Sequence, residues 1–137
     1  MAIFSSADQV YRHFGPYLEA LMVDPVIGPK FAAAKTSFRV SYSDPDTVFV
    51  LDATQNPAVV TMGDAARELP AEVELSMSAD DGHGFWLGKV NIPMAVARRK
   101  VKVDGPVTKL LGMLPAIAPA FGEYRGYCEK HPVGVGA

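Results

Sequence analysis

On the stretch GFWLGKVNIPMAVARRKVKVDGPVTKLLGMLPAIAPAF (84–121) hangs the reading of the whole chain. Phe85, Trp86, Leu87 and Val90 fill a short helix. Asn91 then caps a second, with Pro93 in its first turn, where a missing amide hydrogen costs nothing. Lys100-Val101-Lys102-Val103 alternates as a strand whose lysines suit a solvent-facing edge. Asp104-Gly105-Pro106 makes a tight turn into an apolar helix carrying Leu110, Leu111, Met113, Leu114, Ile117 and Phe121, which Pro115 and Pro119 bend or split near Leu114. A helix docks through about a third of its surface. Met113 widens the stripe of Leu110, Leu114 and Ile117, so two faces are expected: one toward the rest of the fold and one toward something else.

Upstream, Ser5 or Ser6 caps a first helix, and Val10, Phe14, Leu18 and Leu21 give it one buried face. Gly15-Pro16 predicts a kink or restart there, and 24–35 reads as a loop. Phe38, Val40 and Tyr42 alternate with polar residues as a half-buried strand. Val48 to Leu51 is apolar throughout, so both its faces are expected to be covered, and Ala58 to Met62 is a third strand. Val73, Leu75 and Met77 face inward from the clearest strand of all. Asp80 or Asp81 caps the helix that follows. Short loops between the first three strands imply an antiparallel meander. The expected fold is α+β: a five-stranded, mostly antiparallel sheet covered on one side by helices.

Composition narrows the function. At 137 residues one domain is expected, 1–137, with an ordered core of about 5–127 and a tail at 128–137. Net charge is −2 and the only basic run is Arg98, Arg99, Lys100 and Lys102, too little for a nucleic-acid face. That run reads as a solvated edge or as a transient contact for an anionic membrane surface. A single cysteine, Cys128, rules out an internal disulfide. The start of the chain lacks the pattern of a signal peptide, and a cytoplasmic location is expected.

The chemistry-bearing residues are sparse. Asp80, Asp81 and His83 could bind a cation or move protons, but aspartates before a helix more often cap it. Cys128 and His131 would share a helix face, yet Pro132 pushes His131 from helical dihedrals. His13, His83 and His131 have no zinc-like spacing, and no nucleotide or nucleophile-elbow motif occurs. No catalytic residue, metal or cofactor is expected. Met62, Met77, Phe85, Trp86, Met94, Met113 and Phe121 are core by the commoner reading; as flexible gap-fillers, methionines also suit an adaptable apolar cavity.

DPVIGPKF (24–31), VELSMSAD (73–80), FWLGKVNIPMAVARRKVKVDGPVTKLLGMLP (85–115) and PAFGEYR (119–125) together resemble the sterol carrier protein type-two family, especially its short bacterial single-domain members. The resemblance spans about Asp24 to Arg125 and is carried best by G-K-V-N-I-P-M-A-x-A-x-x-x-V-K-V-x-G-P-V. It implies a hydrophobic tunnel between a five-stranded sheet and its helices, closed by the C-terminal helix, that takes fatty acids, acyl-CoA, sterols or other lipids. Carried over by position, it places Met77, Phe85, Trp86, Met94, Leu110, Leu111, Met113, Leu114 and Phe121 in the tunnel lining. The chain departs from the family in Pro115 and Pro119, and in ending Val-Gly-Ala rather than in a peroxisomal tripeptide. Two functions follow: a lipid-binding or lipid-transfer module without chemistry, or a non-catalytic accessory protein of lipid metabolism with a reduced or collapsed cavity. An enzyme built on Asp80, Asp81 and His83 is a weaker third.

Overall fold

The computed structural model describes residues 3–131. Helix α1 (Ala7–Met22) starts where the Ser6 side chain accepts from the Gln9 amide. It runs unbroken through Pro16, with no restart. An interior proline costs about 3 kcal/mol, but Val10 and Phe14 before it and Tyr17, Leu18 and Leu21 after it are all buried. At about 1.5–3 kcal/mol per buried side chain, docking both halves outweighs the break. Pro16 itself faces solvent.

The expected loop at 24–35 contains a short helix, α2 (Ile27–Ala32), which buries Ile27 and Phe31. Its entry is tied by the Asp24 carboxylate, which accepts from the Val26 and Ile27 amides. The meander β1 (Ser37–Ser43), β2 (Thr47–Asp52), β3 (Val59–Met62) is antiparallel throughout. The chain then passes through α3 (Asp64–Glu68) into β4 (Val73–Ser78), which pairs parallel with β1. A parallel neighbour needs a crossover, and α3 lies on that crossover. After α4 (Ala79–Trp86) and α5 (Ile92–Ala97), the edge strand β5 (Lys102–Asp104) pairs antiparallel with β4. The sheet order is β3-β2-β1-β4-β5.

Register settles the faces. Phe38, Val40 and Tyr42 stand beside Val73, Leu75 and Met77 on one side and Leu51, Phe49 and Thr47 on the other. These residues form the inner face, under α1, α2, α4 and the C-terminal helices. Val48 and Val50 point the opposite way and are buried with Ala66 of α3. The covering of both faces of β2 is therefore real, and α3 adds a helix on the side that was expected to be bare.

The expected bend near Leu114 falls later. Helix α6 (Val107–Ile117) carries Pro115 inside it, and the break comes at Ala118-Pro119, before α7 (Ala120–Lys130). That helix runs past residue 127, so Cys128, Glu129 and Lys130 are helical rather than tail. Burial of Tyr124 and half-burial of Tyr127 and Cys128 hold it on the domain. It stops at His131, whose backbone (φ −130°, ψ 71°) has left the helical region, which a following proline disfavours. The remaining part of the expected tail, 132–137, lies outside the described residues. At the front, Phe4 is buried, so the core begins one residue before the expected boundary.

Gly105 fixes the entry to α6. It has φ +103°, and a Cβ there would stand 2.3 Å from the Glu72 carbonyl oxygen. Lys109 and Glu72 form an ion pair across the same junction. Gly105→Ala is expected to destabilise by about 1–3 kcal/mol, the range for forced overpacking, read as a lower denaturant midpoint. An unchanged midpoint would mean that α6 does not lie against the chain entering β4.

Candidate functional site

Alternation along β1 and β4 and the buried stripe of α6 meet over an apolar cavity. From the sheet come Phe38, Val40, Tyr42, Leu51, Leu75 and Met77; from the helices come Phe31, Phe85, Trp86, Ile92, Leu110, Met113 and Ile117. Its lining is almost wholly apolar. Tyr42 and Trp86 are the members that carry a polar atom; burial raises the Tyr42 phenol pKa, and the adjacent Trp86 side chain partly opposes that.

The structure therefore brings together Met77, Phe85, Trp86, Leu110 and Met113 of the nine residues expected in the lining. It does not bring in the other four. Met94 projects from α5 with 51% of its surface exposed, and Leu111 lies on the outer side of α6. Leu114 is half-buried, one turn beyond Leu110 but off the stripe formed by Leu110, Met113 and Ile117. Phe121 packs edge-on to Phe85 and against Gly88, sealing the wall from behind. Apart from Met77, the sheet residues were missed as lining, although the alternation of Phe38, Val40 and Tyr42 already marked which of them face inward; Phe31, Ile92 and Ile117 of the helices were missed too.

In volume the cavity is small, about 60 Å³. A preformed small-molecule pocket holds roughly 300–1,000 Å³, and a dry cavity that accepts benzene has about 150 Å³. The cavity as it stands admits no long alkyl chain without movement of its walls. Two of its wall residues, Met77 and Met113, are unbranched and adapt their shape readily.

A second cluster lies where α1, α4 and α7 meet. The Tyr124 hydroxyl is 2.7 Å from His13 Nε2 and 2.6 Å from His83 Nδ1, and Cys128 lies beside the two imidazoles. The Tyr127 hydroxyl donates to the His13 carbonyl oxygen (2.6 Å), and that of Tyr17 to the Ala120 carbonyl oxygen (2.9 Å). Burial, with the neighbouring His83 and His131, lowers the His13 pKa to about 4. His83 is lowered by burial and by Lys89, against an upward pull from Asp80. The Tyr124 hydroxyl and Cys128 thiol are both raised, chiefly by burial. At neutral pH the cluster is an uncharged, hydrogen-bonded knot.

This arrangement redistributes the acid–base candidates. Ser78, rather than Asp80 or Asp81, caps α4, accepting from the Asp81 amide. Asp80 accepts from the Ile3 amide and so holds the N-terminal segment, while His83 turns toward Tyr124. Cys128 meets His13 and His83 rather than His131, whose ring packs on Tyr127. The basic residues Arg98, Arg99, Lys100 and Lys102 are all exposed, beside the exposed Met94. Among the described residues no helix is long and apolar enough to cross a membrane.

No family model matches the sequence, and no curated protein matches it. Solved structures do. The sterol carrier protein domain 2 of Helicoverpa armigera superposes with a TM-score of 0.67 at 17% identity, over 82% of this chain and 89% of that one. Apo sterol carrier protein 2 of Yarrowia lipolytica gives 0.58 at 19%, over 85% and 94%. Sterol carrier protein 2 of Aedes aegypti, in complex with the C16 fatty acid palmitate, gives 0.53 at 23%, over 82% and 94%. The chain has the sterol carrier protein 2 fold.

Proposed function

We propose that this chain binds a single-chain lipid of the fatty-acid type between the inner face of β1 and β4 and the helices α4 and α6, and does so without chemistry. The observation that carries the reading is the apolar lining at that layer boundary. The palmitate complex of the Aedes aegypti protein, which shares the fold, supports it. The energetics are sufficient. Each buried methylene contributes about 0.8 kcal/mol, so a sixteen-carbon chain gains on the order of 12 kcal/mol before association costs.

With only about 60 Å³ open at rest, entry requires α6 to move outward and Met77 and Met113 to change rotamer. The Ala118-Pro119 break between α6 and α7 gives that movement a hinge, while Gly105 holds the other end of α6. The same small volume favours the second reading, an accessory protein of lipid metabolism whose cavity has collapsed. In the lipid-binding reading, Arg98, Arg99, Lys100 and Lys102 beside Met94 form a transient contact for an anionic membrane surface, and the protein works in the cytoplasm.

One titration separates the two. Trp86, the sole tryptophan, lines the cavity, so hexadecanoic acid should change its fluorescence saturably. Delivery of the fatty acid from anionic vesicles should slow at high salt. No saturable change, together with a lipid-free preparation by mass spectrometry, refutes the binding reading and leaves the accessory one.

A further inference from the structure

We propose that His13, His83 and Cys128, brought together where α1, α4 and α7 meet, bind one thiophilic divalent cation of the zinc class. The chain has three histidines and one cysteine. Two of the histidines and the cysteine, from positions 13, 83 and 128, place one donor atom each within 4.8 Å of one another. Two imidazoles and a thiolate form a borderline-soft set that suits zinc or cobalt and is poor for magnesium or calcium.

Tetrahedral donors about 2.0–2.3 Å from the metal stand roughly 3.3–3.7 Å apart. The present spacing therefore has to close by about an ångström, and the Tyr124 hydroxyl, now between the two imidazoles, has to draw back. His83 and Cys128 are only half-buried, which gives an ion a way in, whereas His13 is buried and fixed by the rings of Phe4 and Phe14. Three protein donors leave a fourth position for water. Binding releases the Cys128 thiol proton to solvent, since only the thiolate is a ligand. The ion would clip α7 to α1 and α4, one helical turn from the cavity residue Trp86. This site is independent of whether the cavity takes lipid.

The test is titration of the reduced full chain with cobalt(II). One equivalent should give the intense visible bands of tetrahedral cobalt and a near-ultraviolet thiolate-to-cobalt band. Cys128→Ser should lose the thiolate band. His83→Ala should weaken binding by more than the roughly 10–100-fold typical of an outer-shell loss. His131→Gln, which removes the one histidine outside the cluster, should change neither. Should Cys128→Ser fail to fold, alkylation of Cys128 in the folded wild type should abolish the thiolate band instead. A protein with a titratable free thiol and no tetrahedral spectrum at millimolar cobalt overturns the proposal, and so does a spectrum that follows His131.

Discussion

Phe14→Ala should remove about 3–5 kcal/mol of stability, the range for emptying a fully buried aromatic position. The Phe14 side chain is 0% exposed. Its ring stands 5.5 Å from Phe4, 5.4 Å from Tyr42 of β1, 6.3 Å from Phe49 of β2 and 6.0 Å, stacked, from Tyr124 of α7. One side chain thus joins the N-terminal segment, the sheet and the last helix, and neither Tyr42 nor Tyr124 can collapse into the space without leaving other partners. Domains of this kind hold about 5–15 kcal/mol in all, so about a fifth or more of the total is at stake. Urea unfolding should show a lowered midpoint with little change in slope. Met94→Ala is the matched control: with 51% of its surface exposed, Met94 should move stability by no more than about 0.5 kcal/mol. A loss below 1 kcal/mol at Phe14 would mean that α1 does not lie where the aromatic contacts place it.

The sequence made the layers legible because their signals are local. Period-two alternation at Phe38-Val40-Tyr42 and Val73-Leu75-Met77 marks the inner face, and the unbroken apolar run over Val48–Leu51 marks a strand covered twice. The Asn91 cap, which accepts from the Met94 amide, is equally local. Assigning the cavity wall was harder. On α6 the apolar residues exceed one face, and spacing alone does not say whether the docked stripe is Leu110-Met113-Ile117 or Leu111-Leu114. The docking angle chose Leu110, Met113 and Ile117. Met94 failed for a related reason: α5 is one and a half turns long, and it buries Ile92 and Ala95 rather than its longest side chain. The meeting of His13 and His83 with Tyr124 had no local signal, since the two hydrogen bonds that join them span 111 and 41 residues. Pro16 misled because a propensity of a few kcal/mol was set against tertiary contacts worth more.

That same knot sets the acid limb of the stability curve in the metal-free protein. His13 is held near pKa 4 in the fold, whereas an unfolded histidine titrates near 6.5. Between those values the unfolded chain binds a proton that the folded chain does not, so stability falls as pH falls. The contribution is complete above about pH 6.5 and is lost as the pH drops to about 4. Integrated over that window it amounts to about 3 kcal/mol. His83, also lowered, acts in the same direction. The groups facing His13 do not cancel the effect: Tyr124, Tyr127 and Cys128 are all raised and stay neutral throughout the window. Asp24 and Asp52 are lowered by hydrogen bonds and lose their stabilisation only at more acid pH. With chelator present, urea midpoints should decline steadily from pH 7 to 4.5, and His13→Gln should flatten most of that decline. A wild-type midpoint constant over this range, or an equal slope in His13→Gln, would show that His13 takes up its proton without leaving the fold, and hence that α7 is not closed over it.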